Sequence, residues 1–256
     1  MLLHQCNQGP MVALDRGRQP WHFLPNGNSC QHPRRDLWRV PAAWHCSTFF
    51  SPLVAMTHSS LDNFLLQFHH FTPQQLHLIR SQATERTYPP GAYFSEAGRV
   101  AQEVGFIVSG IFRVCYFDRE GTEHTKYFVE ENHVIVDLQS YQYQQPATEY
   151  VQAATETQVL VFKARAWQEF SLTIVDWPAV EQKLFTQALL EKLHRRSSLV
   201  SPSGAARYEL FLATFPGVAN RVALAHLASY IGVTPQSLSR IRRNLGPLPP
   251  ERQASS

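Results

Sequence analysis

The spacing of apolar positions predicts three successive regions in this chain. Residues 61–82 have helical spacing, with Leu61 and Phe68 on one face. Residues 84–163 change to short runs of β-branched and aromatic residues, and evenly spaced short strands are typical of a sandwich or barrel. Residues 179–196 return to helical spacing. We therefore expect an α+β protein in which helices flank a β-domain.

Glycine-containing dipeptides separate the predicted strands. They mark turns between runs such as residues 106–108 and 113–117, and residues 151–153 and 158–162 are expected to close the β-domain. The dipeptides are Pro90-Gly91, Ala97-Gly98, Ser109-Gly110 and Glu120-Gly121.

The predicted helix at residues 179–196 carries a wide apolar stripe that must pack against something. A second copy of the same helix would bury it in a two-fold dimer. The alternative is packing against the chain's own β-domain. The helix ends in cations that suit a helix C-terminus. The stripe comprises Val180, Leu184, Phe185, Ala188, Leu189, Leu190 and Leu193.

Residues 222–243 have the pattern of a helix-turn-helix. Ala228 is small enough for a second helix to cross closely, and Gly232 stands where the chain must turn through positive φ. Thr234 is a good N-cap, and Pro235 suits the first position of the next helix. Leu224, Leu227, Leu238 and Ile241 would face inward.

The outward positions of this second helix are hydrogen-bonding or cationic. Gln suits adenine and Arg suits guanine through paired hydrogen bonds, so we assign Gln236, Ser237 and Arg240 to bases. The alternative is a helical hairpin without a DNA role. We assign to phosphates or register Thr234, Ser239, Arg242 and Arg243.

The charge distribution favours a polyanionic partner, although the net charge of the 256-residue chain is only +3. Residues 182–245 contain nine basic side chains against Glu191 and Glu209. A solvated helix face is the other interpretation. The nine are Lys183, Lys192, Arg195, Arg196, Arg207, Arg221, Arg240, Arg242 and Arg243.

The chain divides into four parts by composition and pattern. Residues 1–55 lack Lys and Glu and have no sustained period, so we interpret them as a disordered extension or a start codon assigned too early. We expect a sensor domain at 56–177, a connecting helix at 178–200 and a DNA-binding domain at 201–256. Because no apolar run reaches the length of a signal or membrane segment, we expect a cytoplasmic protein without a membrane partner.

Residues 60–245 resemble regulators of the CRP/FNR family. The most specific part is Tyr230-Ile-Gly-Val-Thr-Pro-Gln-Ser-Leu-Ser-Arg-Ile-Arg242, and the β-segment adds Tyr88-Pro-Pro-Gly91, Glu96-Ala-Gly98 and residues 106–113. The resemblance implies a cyclic-nucleotide-binding-like β-roll (a double-stranded β-helix), a long dimerisation helix and a C-terminal helix-turn-helix. It also implies double-stranded DNA as a partner, a homodimer, and RNA polymerase as a candidate contact.

The sensor site departs from the family pattern. Cyclic-nucleotide binders of the family carry Gly-Glu-Leu and then Arg-Ser/Thr-Ala, whereas this chain has Val136-Asp137-Leu138 and Thr148-Glu149. A carboxylate in place of the arginine would repel a phosphate. We therefore expect no tight binding of cyclic AMP, while an unknown small effector at these five residues remains open.

No cofactor is expected from the remaining chemistry. Some relatives hold an iron–sulfur cluster, but Cys6, Cys30, Cys46 and Cys115 lack the tight grouping of cluster ligands. No nucleophile motif, P-loop or dinucleotide fingerprint appears, so we expect no enzyme activity. Two functions remain: an effector-modulated regulator, or a constitutive DNA-binding protein whose roll serves dimerisation and interaction.

Overall fold

A computed structural model describes residues 52–196 and 203–245 of the chain. The helices are α1 Pro52–Leu65, α2 Pro73–Ser81, α3 Leu138–Tyr143, α4 Ala164–Thr173, α5 Trp177–Arg195, α6 Gly204–Thr214, α7 Leu224–Ile231 and α8 Pro235–Leu245. The strands are β1 Thr84–Tyr88, β2 Tyr93–Ser95, β3 Glu103–Ser109, β4 Phe112–Phe117, β5 Glu123–Val129, β6 Val134–Ile135, β7 Tyr150–Ala153 and β8 Thr157–Lys163.

The predicted order of helices, β-domain and C-terminal helices is confirmed. The expected boundary after residue 55 falls inside α1, which begins at Pro52. Helices α3 and α4 were not expected from the sequence, because both are short and follow strand patterns closely. The prediction for residues 1–51, with the first three cysteines, lies outside the described residues.

The strands form a roll of two antiparallel four-stranded sheets, with orders β1-β8-β3-β6 and β2-β7-β4-β5. The glycines of all four predicted turn dipeptides have positive φ. Gly110, between β3 and β4, has φ +97°, and a Cβ there would lie 2.4 Å from the carbonyl oxygen of Glu156. Any other residue would therefore strain this turn both sterically and conformationally.

One hydrophobic core lies between the first sheet and the helices α1, α2, α4 and α5. Phe106 and Phe162 of the sheet and Trp167 and Trp177 of the helices are each at most 3% exposed. Burial of each such side chain contributes about 1.5–3 kcal/mol to folding. This core fixes the start of α5 against the roll.

A second core joins the interior of the roll to the helices α6, α7 and α8. Phe128 of β5 is fully buried, and its ring contacts Phe211, Phe215 and Tyr230 at centroid distances of 6.0, 5.8 and 5.8 Å. The C-terminal helices therefore pack directly against the second sheet. Periodicity along the chain did not predict this contact.

Helix α5 divides the predicted apolar stripe into two surfaces. Val180, Leu184 and Phe185 of the stripe are buried within the same chain, as the alternative interpretation required, and so is Trp177 at the start of the helix. Ala188 is half-buried, and the other three stripe residues are open, with 46%, 52% and 56% exposure at Leu189, Leu190 and Leu193. Within residues 52–196 and 203–245, no helix is both long and apolar enough to span a bilayer.

Candidate nucleic-acid interface and sensor pocket

The predicted helix-turn-helix forms from α7 and α8. Leu227 and Ala228 of α7 and Leu238 of α8 are at most 1% exposed, so the two helices cross at these side chains. Gly232 ends α7 with φ +71°, the left-handed conformation that the sequence predicted. The Val233 amide donates to the Ala228 carbonyl at 3.0 Å, which closes the turn.

Thr234 caps the N-terminus of α8 as expected. Its hydroxyl accepts from the Ser237 amide at 3.2 Å and donates to the Ser237 hydroxyl at 3.0 Å. Pro235 occupies the first helical position. The start of α8 is therefore well defined, which orients the residues of its first turn.

The outer face of α8 carries the residues assigned to DNA. Gln236, Arg240 and Arg243 are exposed, whereas Ser237 and Ser239 are half-buried. Within the described part of the chain, neither Arg240 nor Arg243 has a hydrogen-bonding or ionic partner. Since α8 contains no acidic residue, this face is cationic and open to a ligand.

Arg242 has a different environment from its two neighbours. It is half-buried, and its guanidinium donates to the Asn220 side-chain oxygen at 3.2 Å. This bond links α8 to the loop before α7. Arg242 is thus oriented by the protein, and the sequence offered no signal for this contact, because 22 residues separate the partners.

Much of the basic run predicted at residues 182–245 is used inside the protein. Arg207 donates to the Ile231 carbonyl at 2.6 Å, and Arg221 bonds to Glu131 at 3.0 Å. Fewer of the nine basic side chains are therefore available to an outside partner than the sequence suggested. Side chains with internal partners also include Lys183, Lys192 and Arg195.

Polar bonds anchor α7 to β5 beside the aromatic contacts of Phe128. The Ser229 hydroxyl accepts from the Thr125 amide at 2.8 Å and donates to the Glu123 carbonyl at 3.1 Å. The Tyr230 hydroxyl donates to the Arg195 carbonyl near the end of α5 at 3.1 Å. These bonds tie the helix-turn-helix to both the roll and α5.

Arg113 lies buried in the second sheet near the same junction. Only 2% of it is exposed, and its guanidinium donates to Gln152, Thr125 and Glu123. On the facing helix, burial lowers the pKa of His226, and the Arg113 charge lowers it further. His226 Nδ1 is buried without a hydrogen-bond partner in the described part of the chain. The imidazole is therefore disfavoured as a cation here.

A cavity of about 360 Å³ lies between the roll and α5. Of the five predicted sensor residues, Val136 and Leu138 line it. Tyr127 of β5 and Tyr143 of α3 add aromatic surface, and α5 contributes Leu189. Polar side chains at the same wall are Gln139, Gln142, Glu191, Lys192 and Arg195.

The other three predicted sensor residues do not line this cavity. Asp137 caps α3 by accepting from the Ser140 amide at 3.0 Å. Thr148 is exposed. Glu149 accepts from Lys126 of β5 at 2.5 Å and from Lys192 of α5 at 3.0 Å. Its side chain is only 12% exposed.

The Glu149 carboxylate lies between two cations, one at each oxygen. Lys126 of β5 and Lys192 of α5 both bond to this carboxylate, so each ammonium group already has an internal partner. Burial raises the pKa of Glu149, but hydrogen bonds and charges from Lys126 and Lys192 outweigh this effect, so its pKa is lowered overall. The anionic form of Glu149 is therefore favoured at neutral pH.

Cys115 is a buried free thiol of β4. Burial raises its pKa to about 12, so the thiolate that binds metals is disfavoured at neutral pH. Within the described ranges, no group of three His, Cys, Asp or Glu side chains is arranged to hold a metal ion.

Comparisons with known proteins agree with this architecture. Residues 85–173 match the family model described as the cyclic nucleotide-binding domain. The sequence matches no curated protein. The structure is similar to that of the c-di-GMP responsive global regulator CLP of Xanthomonas campestris, with 14% identity and a TM-score of 0.56, over 68% of this chain and 91% of that one.

A second solved structure, FixK2 from Bradyrhizobium japonicum, has 18% identity and a TM-score of 0.50, over 64% of this chain and 84% of that one. At these identities the likenesses establish a shared fold. The family-model match shows a cyclic nucleotide-binding domain at residues 85–173, and the two likenesses confirm the predicted fold.

Proposed function

We propose that this chain, which has a cyclic nucleotide-binding domain at residues 85–173 and the fold of CRP/FNR regulators, is a dimeric DNA-binding transcription regulator. The observation that carries the proposal is the outer face of α8. Arg240 and Arg243 there are exposed cations without a partner in the described chain, on a helix whose first turn is held by a Thr234 cap. Such a helix suits the major groove.

Dimerisation follows from the open half of α5. Leu189, Leu190 and Leu193 remain about half exposed on a helix whose earlier apolar residues are buried. Two copies of this surface in contact would remove it from water and place two α8 helices in two-fold symmetry. The expected operator is then an inverted repeat whose half-sites are about one helical turn apart.

The sensor roll, in this proposal, does not bind cyclic AMP in the usual way. Glu149 supports this, because its carboxylate is anionic and already paired with two lysines. The same pairing favours the second candidate function, a constitutive DNA-binding protein in which the roll is a structural and interaction module. An effector bound in the cavity beside α5 would instead favour the first candidate function, an effector-modulated regulator.

Selection of duplexes from a random pool, followed by fluorescence anisotropy of the full-length chain, tests the proposal. We expect a two-fold symmetric site and an affinity that falls steeply with salt. Addition of cyclic AMP is expected to leave the affinity unchanged. Failure to enrich any duplex, with the protein folded, would overturn the assignment of DNA binding. If a duplex is enriched, genome-wide footprints would identify the natural operators.

A further inference from the structure

We propose that Lys126 and Lys192 form an anion-binding centre that the chain fills with its own Glu149 carboxylate, so that α5 is held against the roll without a small-molecule anion. The inference rests on the proposed function, because it concerns how that regulator holds its connecting helix. The three residues come from β5, the residue before β7, and α5. They are named here the internal anion centre.

The internal anion centre is a partly buried cluster in which every charged group has a defined partner. The Glu149 carboxylate is 12% exposed, and each of its oxygens bonds to a different ammonium group, at 2.5 Å and 3.0 Å. Both ammonium groups also lie over aromatic rings, Lys126 over Tyr116 at 4.9 Å and Lys192 over Tyr127 at 5.9 Å. The two cations are thus positioned by contacts independent of the carboxylate.

The internal anion centre lies where it can hold the second half of α5 against the roll. After Phe185, α5 has no buried residue, so its second half is not fixed by the hydrophobic core. That half is held to the roll by polar bonds, from Lys192 to Glu149 and from Arg195 to His133 and the Phe128 carbonyl. The same half carries the exposed leucines and leads towards the helix-turn-helix.

Removal of the carboxylate would leave two cations facing one small space. Repulsion between them is then relieved either by movement of α5 or by an anion from solution. The Glu149→Ala variant is therefore expected to bind acetate, which replaces the deleted carboxylate. Wild-type protein is expected to ignore acetate, because its centre is already filled.

Hydrogen exchange of residues 186–195 in the full-length chain tests this, with acetate and chloride compared at equal ionic strength. In Glu149→Ala the protection of this segment should fall roughly 2- to 5-fold, the effect of losing two partly exposed ion pairs. Acetate should restore it and raise the thermal midpoint, whereas chloride should not. Unchanged protection in Glu149→Ala, or equal rescue by acetate and chloride, would overturn the proposal.

Two further variants keep the test decisive. Lys192→Gln should lose protection of residues 186–195 without any response to acetate, because Glu149 still fills the centre through its bond to Lys126. Glu149→Gln, which keeps the side-chain shape, covers the case in which the alanine variant does not fold, and it should show the same loss of protection. Full protection in both variants would also contradict the proposal.

The experiment is separable from the proposed function because neither exchange nor melting requires DNA. If the wild-type chain binds no duplex while acetate restores protection in Glu149→Ala, DNA binding is refuted and the internal anion centre is supported. If the wild-type chain binds DNA while the exchange protection of α5 is the same with and without the Glu149 carboxylate, DNA binding is supported and the internal anion centre is refuted.

Discussion

Two regions of the molecule gather positive charge, and they differ in the source of the opposing anion. On α8, Arg240 and Arg243 have no partner within the described chain, so any anion that pairs with them comes from outside that part of the chain. Between the roll and α5, Lys126 and Lys192 have the same charge, but Glu149 is already bonded to both. A cluster of cations therefore indicates a ligand site only after its internal partners are known.

The same contrast applies to Arg221 and Arg242, which the sequence placed with the DNA-facing cations as members of one basic run. Arg221 pairs with Glu131 of the roll, and Arg242 donates to Asn220. The first helps to hold the helix-turn-helix on the roll. The second holds α8 to the preceding loop. The charges of Arg221 and Arg242 are thus partly used within the protein, and fewer cations remain for the proposed contact with DNA.

The largest expected effect comes from the junction between the roll and the C-terminal helices α6 and α7. Phe128→Ala should lower the free energy of unfolding by about 3–5 kcal/mol, since a fully buried ring is removed. It should also weaken DNA binding, because Phe128 contacts the helix-turn-helix domain through Phe211, Phe215 and Tyr230. Chemical denaturation and anisotropy below the melting range measure the two effects.

Phe162→Ala is the matched control for Phe128→Ala. Phe162 is equally buried, but it packs against Trp167 and Phe170 in the other core. It should cost similar stability and leave the DNA affinity of the folded protein unchanged. Equal losses of affinity in the two variants would show that the junction does not orient the helix-turn-helix.

A smaller effect is expected on the outer face of α8. Arg240→Ala should reduce discrimination between operator variants by about 1–3 kcal/mol, because a base contact is lost. Arg243→Ala should weaken all duplexes about equally and lower the salt slope by about one, because a phosphate contact is lost. Anisotropy against a set of single-base operator variants measures both.

The control for these arginines is Arg165→Ala on α4. Arg165 is highly exposed and pairs with Glu169, far in sequence from α8. Its removal should change neither discrimination nor affinity. If Arg240→Ala and Arg243→Ala gave identical losses across all duplexes, the separate assignments to base and phosphate would be wrong.

The N-cap of α8 is expected to contribute about 1 kcal/mol. Thr234→Ala removes the hydroxyl that accepts from the Ser237 amide and should lower stability by that amount. Thr234→Ser keeps the hydroxyl and should retain most of the stability and DNA affinity. Thermal denaturation distinguishes the two variants, and equal melting curves for both would show that the cap does not stabilise α8.

The smallest expected effect is the pH dependence of the internal anion centre. The pKa of Glu149 is lowered in the folded state, so its stabilisation is present above the ordinary glutamate pKa and is lost as pH falls through the lowered value. Wild type should exceed Glu149→Gln by less than about 1 kcal/mol at neutral pH. The difference in thermal midpoint should disappear in acid. A difference that persists unchanged at low pH would contradict this assignment.

The helix-turn-helix was predictable in detail because its determinants are local. Gly232, Thr234 and Pro235 act within one turn of where they stand, and their conformations follow from positive φ, capping and a fixed φ. The turns of the roll were predictable for the same reason, since each depends on one glycine. The confirmed fold class followed from the order of these local elements.

The sensor region was predictable only in part. That a carboxylate stands where the family pattern has an arginine stays a prediction, and the partners of Glu149 lie 23 and 43 residues away in the chain. The division of the α5 stripe also escaped prediction, because a periodic pattern does not tell which half meets the chain's own roll. The short helices α3 and α4 were missed.

The sequence alone determined the order of elements, the turns, the caps and the outward residues of α8, because each depends on neighbours within a few positions. The tertiary structure decided which charges remain available. It joined Lys126, Glu149 and Lys192 from three separate elements and packed the helix-turn-helix onto β5 through Phe128. Such pairings depend on how distant segments pack, and no local pattern of residues specifies them.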